Sequence, residues 1–264
     1  MKTNASPTAS SRVESNRREY RRRDTVELIR ARSGWIDVGE RILVNRIADE
    51  VRSQAILDVG VGTGRTAWML RTISRDYVAV DFSPEMVEAC RHEYPGLDVR
   101  ECDARDLSIF ADGAFALVVF SFNGIDILDH VGRLQALAEM HRVLRLGGLM
   151  LYSTLNRNGS LYGYRPWTRR HLSLPRHWRE HRNWRRQKQF EEDHASWAIC
   201  AAAAYEYRVL AHFTLPSTEQ QALASIGFAI EETLGCNGDP IEDDSTTTPY
   251  FYLLARKTAP MTAP

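Results

Sequence analysis

Apolar residues along this chain change their period several times, and each change marks an element. Between Thr25 and Val51 they recur at three- and four-residue spacings (Val26, Ile29, Trp35-Ile36, Ile42, Leu43, Ile47, Val51), which predicts helix. Ser33-Gly34 divides that stretch in two. Ala55 to Val59 is a short apolar run ending in glycines, a buried strand; Thr66 to Ile73 returns to helical spacing, and Tyr77 to Val80 is a second strand. Ser83-Pro84-Glu85 opens a helix to about His92, with Ser83 as N-cap and Pro84 in the first turn. Asp98 to Cys102 is a third strand. Phe115 to Phe122 is continuously apolar, as expected of a strand covered on both faces. A helix from His130 to Leu144 stops at Gly147-Gly148, and Leu149 to Thr154 is a fifth strand. Further on, Tyr205 to Leu215, Phe228 to Leu234 and Tyr250 to Ala255 read as strands, with a helix from Pro216 to Ile226. Strands alternating with helices imply βαβ units and a doubly wound, mostly parallel α/β sheet, expected here with seven strands.

The alternation breaks between residues 157 and 204, so we read an insertion over 157–215, acting as a lid, within a domain spanning 25–264. Residues 1–24 form either a disordered or a covering segment: the first fifteen are polar without apolar period, and Arg17 to Arg23 are strongly basic around Tyr20.

Composition changes this picture little. At 264 residues the chain buries a full core without staples. A formal net charge of zero gives no bulk attraction to nucleic acid or membrane. Four scattered cysteines (Cys90, Cys102, Cys200, Cys236) without zinc spacing argue for a metal-free protein in a reducing cytosol. The N-terminus lacks the apolar run of a secretory signal, and the longest apolar stretch is too short to span a bilayer. The expected location is cytoplasmic, away from membranes.

Candidate chemistry gathers at the strand ends. Gly60, Gly62 and Gly64 let the backbone approach a ligand closely at the start of a helix. The G-x-G-x-G spacing differs from the G-x-G-x-x-G of dinucleotide binders, and Asp58 inside the turn repels a pyrophosphate but suits a cationic nucleoside. Asp81 ends the second strand, twenty-one residues after Gly60, where a carboxylate accepts from both ribose hydroxyls. After the third strand, Asp103 and Ala104 suit an adenine edge.

With these residues in view, the stretches ILDVGVGTGRTA (56–67), VAVDFSPEMVEACR (78–91), ECDARDL (101–107), FALVVFSFNGIDILDH (115–130) and HRVLRLGGLMLYST (141–154) resemble the class I, Rossmann-like S-adenosylmethionine-dependent methyltransferases, in the branch acting on small molecules. Leu146 departs from the family's usual proline in the turn before strand five. The resemblance implies S-adenosylmethionine as cofactor and S-adenosylhomocysteine as product. It places the methionine moiety against Asp58 and the three glycines, the ribose on Asp81 and the adenine beside Phe82, Asp103 and Ala104. It assigns the amino-acid end to Ser121, Phe122 and Asn123, and makes the last strand antiparallel. Tyr20 is read as part of a cover over the cofactor.

The acceptor is less constrained. A hydroxyl acceptor needs a general base; His130, just past the fourth strand, and His212, in the strand after the insertion, are the candidates. The stretch Tyr164–Gln189 carries nine Arg or Lys against one acid, Glu180, with Trp167, Trp178 and Trp184 interleaved. We expect a lid over an aromatic or heteroaromatic natural-product intermediate that is O- or N-methylated. One alternative is an RNA methyltransferase using this basic segment; the Ser121-Phe122-Asn123-Gly124 sequence, in place of a base methylator's Asn/Asp-Pro-Pro-Tyr/Phe, argues against nucleic-acid bases. The other is a protein that binds S-adenosylmethionine without catalysis.

Overall fold

The computed structural model describes residues 9–30, 34–168 and 174–259. Residue Ser33 of the predicted helix break, residues 1–8 of the polar terminus, and Arg169 and Arg170 of the basic segment lie outside them. Helix α1 (Ala9–Tyr20) is followed by α2 (Arg23–Arg30) and α3 (Val38–Ile47), the last capped by Asp37, whose carboxylate accepts from the Glu40 N–H. The α/β core then runs β1 (Ile56–Val59), α4 (Ala67–Ile73), β2 (Tyr77–Asp81), α5 (Pro84–Glu93), β3 (Asp98–Glu101), β4 (Phe115–Phe120), α6 (His130–Val143) and β5 (Leu144–Asn156). The insertion contributes α7 (Leu174–Gln187), β6 (Glu192–Asp193), β7 (Trp197–Ala201) and β8 (Leu210–Thr214). Helix α8 (Pro216–Ser225), β9 (Phe228–Gly235) and β10 (Tyr250–Lys257) close the fold.

The expectation of seven strands is corrected to ten among the described residues. Seven of them form the central sheet, in the order β3-β2-β1-β4-β5-β10-β9, with β10 antiparallel to both neighbours. The other three form a β8-β7-β6 extension joined to the far end of β5 through Leu155↔Phe213 and Asn156↔Thr214. The thirteen-residue β5 makes this possible: its first part pairs with β4 and its last two residues project beyond it. Strand residues alternate between two cores, as the pleat requires. Leu57, Val59, Val118 and Phe120 face α6 and α8, whereas Ile56, Leu117 and Val119 face α3, α4 and α5.

Three boundaries differ from the pattern. Strand β5 starts at Leu144 rather than Leu149 and passes through Gly147 with φ of 77°, because Leu144 pairs with Phe115. The strand predicted from Tyr205 begins only at Leu210, since Glu206 and Tyr207 take left-handed backbone conformations that no strand accepts. Helix α1 forms from Ala9 on despite its polar sequence.

Candidate active site

The turn after β1 is built on backbone that glycine alone takes readily: φ is 65° at Gly60, 56° at Gly62 and 92° at Gly64. Gly60 and Gly62 line a cavity above the strand ends; a side chain at Gly60 would strike the Phe120 ring, whereas one at Gly62 would meet only Ile29 at ordinary contact distance. A side chain at Gly64 would strike Tyr94 and Cys90, so this glycine serves the packing of α5. Asp81 clamps the turn from the next strand. One carboxylate oxygen accepts from the Gly62 N–H and the other from the Ser83 N–H, each at 2.9 Å. Burial pushes the Asp81 carboxyl up to about 6, against the lowering effect of those backbone donors.

Asp58 is buried beneath the turn, where the hydroxyls of Thr66 and Tyr77 each donate to it at 2.7 Å. Burial raises it too, to about 6. Beside it the buried Arg65 donates to both carboxylate oxygens of Glu40 at 2.8 Å, to the Trp35 carbonyl at 2.8 Å and to Ser121 Oγ at 2.5 Å. Ser121 also bonds Glu40. Its hydroxyl is therefore held inside an ion pair that fastens α3 to the end of β4.

A narrower recess continues past Gly60 to Phe82, Asp103 and Ala104, roofed by Val13, Asn16 and Arg17 of α1. Asn16 stitches that roof in place. Its amide donates to the Ile127 and Leu210 carbonyls at 2.7 and 2.8 Å and accepts from the Leu210 N–H at 2.9 Å. Arg17 and Arg105 both pair with Asp103. Burial raises the Asp103 carboxyl, but the guanidiniums outweigh it and hold the group below the ordinary range. Tyr20 ends the helix with its ring 5.8 Å from Phe82 and its hydroxyl donating to the Tyr205 hydroxyl at 3.2 Å.

Across the wall formed by Tyr20, Phe122, Ile127 and Tyr205 lies a wider cavity of about 520 Å³. Its surface is largely apolar and aromatic: Trp35, Leu155, Leu161, Ala202 to Ala204, Val209, Ala211, Phe213 and Tyr250 line it, many of them from the insertion. Phe122 and Asn123 sit at its edge with φ of 51° and 61°, a conformation costing a non-glycine residue about 1–3 kcal/mol. The Asn123 N–H donates to Ser153 Oγ at 2.7 Å, and the Arg65 guanidinium lies 5.0 Å over the Phe122 ring. Strain of this kind persists only where surrounding bonds hold it.

Asp126 is the one carboxylate lining the wide cavity among the described residues. It accepts from Thr154 Oγ1 at 2.8 Å and the Leu155 N–H at 2.7 Å, and pairs with the fully buried Arg133. Arg133 also pairs with Glu219 at 2.8 Å, and Glu219 accepts from the Tyr152 hydroxyl at 2.6 Å. Burial raises Asp126 to about 7, opposed first by the Arg133 charge. Neither Asp126 nor the Glu40–Arg65 pair carries a sequence signal, because each partner lies in a different element.

The two histidines chosen from sequence are brought together elsewhere. His130 Nδ1 and His212 Nε2 lie 3.1 Å apart, and the His130 ring stacks on Trp197 at 4.2 Å with an interplanar angle of 4°. His194 stacks on Trp197 as well, at 3.9 Å. Burial lowers the pKa of both His130 and His212, the latter strongly. Neither ring lines either cavity. No group of three or more metal-ligating side chains forms among the described residues.

Comparison with known proteins gives the same strands and turns a context. A family model described as a methyltransferase domain matches residues 56–148. A probable S-adenosylmethionine-dependent methyltransferase of Mycolicibacterium smegmatis is 28% identical over 117 residues, 44% of this chain and 44% of that protein. A ubiquinone/menaquinone biosynthesis C-methyltransferase of Citrifermentans bemidjiense is 36% identical over 106 residues, 36% of this chain and 43% of that protein. The chain thus spans less than half the length of the curated relatives it matches. Among solved structures, an S-adenosylmethionine-dependent methyltransferase from Mesorhizobium loti aligns over 83% of this chain and 98% of its own, with a TM-score of 0.56 at 18% identity. The Burkholderia thailandensis 1,6-didemethyltoxoflavin-N1-methyltransferase, solved with 1,6-didemethyltoxoflavin and S-adenosylhomocysteine, aligns over 95% of this chain and 87% of its own, with a TM-score of 0.53 at 17% identity. At these identities the structural likenesses establish the fold.

Proposed function

The chain carries a class I S-adenosylmethionine-dependent methyltransferase domain, and from that premise we propose that it methylates an oxygen or nitrogen of a small, largely apolar aromatic or heteroaromatic acceptor held in the wide cavity. The observation that carries this reading is the shared wall. The cavity of the glycine turn and Asp81 adjoins an aromatic-lined chamber across Tyr20, Phe122, Ile127 and Tyr205.

The residues around the turn fit the cofactor. Gly60 and Gly62 leave backbone open to close approach, Asp81 offers carboxylate oxygens for ribose hydroxyls, and the recess of Phe82, Asp103 and Ala104 takes a flat base. When bound, S-adenosylmethionine supplies a methyl group on a positively charged sulfur. Phe122 and Asn123, held in their strained turn, would set where that methyl meets the acceptor. Tyr20 and Tyr205 would close the junction against water, so that alignment within about 3–3.5 Å contributes much of the rate. The insertion over 157–215 would provide half of the acceptor chamber's lining, with α1 as the cofactor's roof.

Asp126, rather than His130 or His212, is the group we assign to the acceptor's proton, because it alone of the three lines the chamber. A carboxyl raised to about 7 is half ionised at neutral pH, the useful range for a general base. The rate should therefore rise with pH through about 7. The Asp126→Asn variant should lose that limb and about 10²–10⁴-fold in kcat/KM, while its S-adenosylhomocysteine affinity stays within twofold. The overall test is calorimetry with S-adenosylhomocysteine, followed by a screen of phenols, aromatic amines and heteroaromatics for S-adenosylhomocysteine release. Tight cofactor binding with no release from any acceptor would overturn catalysis.

A further inference from the structure

Helix α7 is inside out. Its buried positions are Glu180, Asn183, Trp184 and Gln187, mostly polar, whereas its outward face begins with Leu174 and Trp178, 76% and 72% exposed. These two lie four residues apart and so stand on one stripe. The stripe continues into Arg182, Arg185 and Arg186, all exposed and without an ion pair or hydrogen bond through their guanidinium groups among the described residues. Arg18 of α1 joins Arg182 and Arg186 in one surface recess. An ordinary surface helix does the reverse, burying its apolar stripe.

We propose that this face seats the protein on an anionic phospholipid surface. Leucine and tryptophan enter the boundary between headgroups and acyl chains, and the unpaired arginines meet lipid phosphates. Lipid fits better than nucleic acid, because Leu174, the most exposed large apolar residue among the described residues, has no ring with which to stack a base. On its inner side α7 is tied to the segment that precedes it, the Trp167 and Trp184 ring centroids lying 5.0 Å apart, so the outward stripe is carried on a packed helix. No helix among the described residues is long and apolar enough to cross a membrane, so the contact is peripheral. Such a contact departs from the expectation of a protein away from membranes, which rested on a zero net charge, an average over such patches, and on the lack of an apolar stretch long enough to span a bilayer.

The test is cosedimentation of the full chain with vesicles of phosphatidylcholine alone and vesicles in which a third of the lipid is phosphatidylglycerol. Binding is expected to the anionic vesicles only, falling as salt rises. Arg182→Glu, Arg185→Glu and Arg186→Glu together should weaken it at least about 100-fold, and Leu174→Ser with Trp178→Ser at least about tenfold. S-adenosylhomocysteine affinity should be unchanged in both, which confirms folding. Lack of binding to anionic vesicles at low salt, wild-type binding by either variant, or displacement of the protein from vesicles by single-stranded RNA overturns the proposal. The measurement needs no turnover, so its failure leaves the methyl-transfer reading standing.

Discussion

Replacing Asp81 with Ala is expected to weaken S-adenosylhomocysteine binding by about two to four orders of magnitude, at about 1.5–3 kcal/mol for each of the two ribose hydrogen bonds to a charged acceptor, while leaving a folded protein. Two effects on stability oppose each other. The substitution leaves the Gly62 and Ser83 N–H groups without their present acceptor, a cost of about 1–3 kcal/mol for each that stays dry. It also removes a carboxylate that burial disfavours. Because the folded pKa is raised from 3.8 to about 6, ionised Asp81 opposes folding, and the stability it takes away is lost as pH rises through that interval. The two partly cancel, so the melting temperature should move by only a few degrees. Calorimetry and thermal unfolding on one preparation separate the outcomes; retained affinity in a folded variant would exclude Asp81 from the ligand site. The same shift sets a pH dependence in the wild type. Affinity should fall as pH drops below about 6, since a protonated carboxyl offers the ribose one good acceptor fewer.

That part of the site was legible because it is local. The glycine turn, Asp81 and the Ser83 cap sit at strand ends that the hydrophobic pattern already defines, and one βαβ unit brings them together. The insertion was legible only as an interruption. Its three added strands depend on β5 outrunning β4, which a residue-by-residue period does not register. The choice of His130 and His212 shows the consequence. His130 follows a strand that points at the site and His212 lies within one, but Trp197 of β7 stacks on His130, and nothing near His130 in sequence announces that partner. Gly64 reads like its neighbours in the turn, yet Tyr94, thirty residues on, decides that it packs against α5. Helix α7 defeats the pattern for the opposite reason: its polar side chains are inside. Asp126 was missed because its significance comes from Arg133, Thr154 and Glu219, on three other elements.

That buried network carries the second large expectation. Arg133→Met should destabilise the protein by about 3–5 kcal/mol, the usual result of removing one partner from a buried ion pair. Arg133 is 2% exposed and holds two carboxylates, Asp126 at 1% and Glu219 at 4%. Methionine fills much of the volume, so the loss is electrostatic rather than a cavity. For a chain of this size it corresponds to a melting temperature roughly 6–20 °C lower. The pH dependence distinguishes this cause from lost packing. Without the guanidinium the Asp126 carboxyl, already raised by burial, shifts further upward, and a group with a raised folded pKa loses stability as pH rises. The gap between wild type and variant should therefore narrow on acidification from pH 8 towards 5.5, as that carboxyl takes up its proton; a packing defect would be constant with pH. Adding Asp126→Asn and Glu219→Gln to Arg133→Met should recover most of the stability at neutral pH, because no buried charge is then left unanswered. Activity should not return with it, since the rebuilt network has lost the carboxylate facing the acceptor chamber. Full activity in that triple variant would remove Asp126 from the reaction and leave Arg133 a purely structural residue.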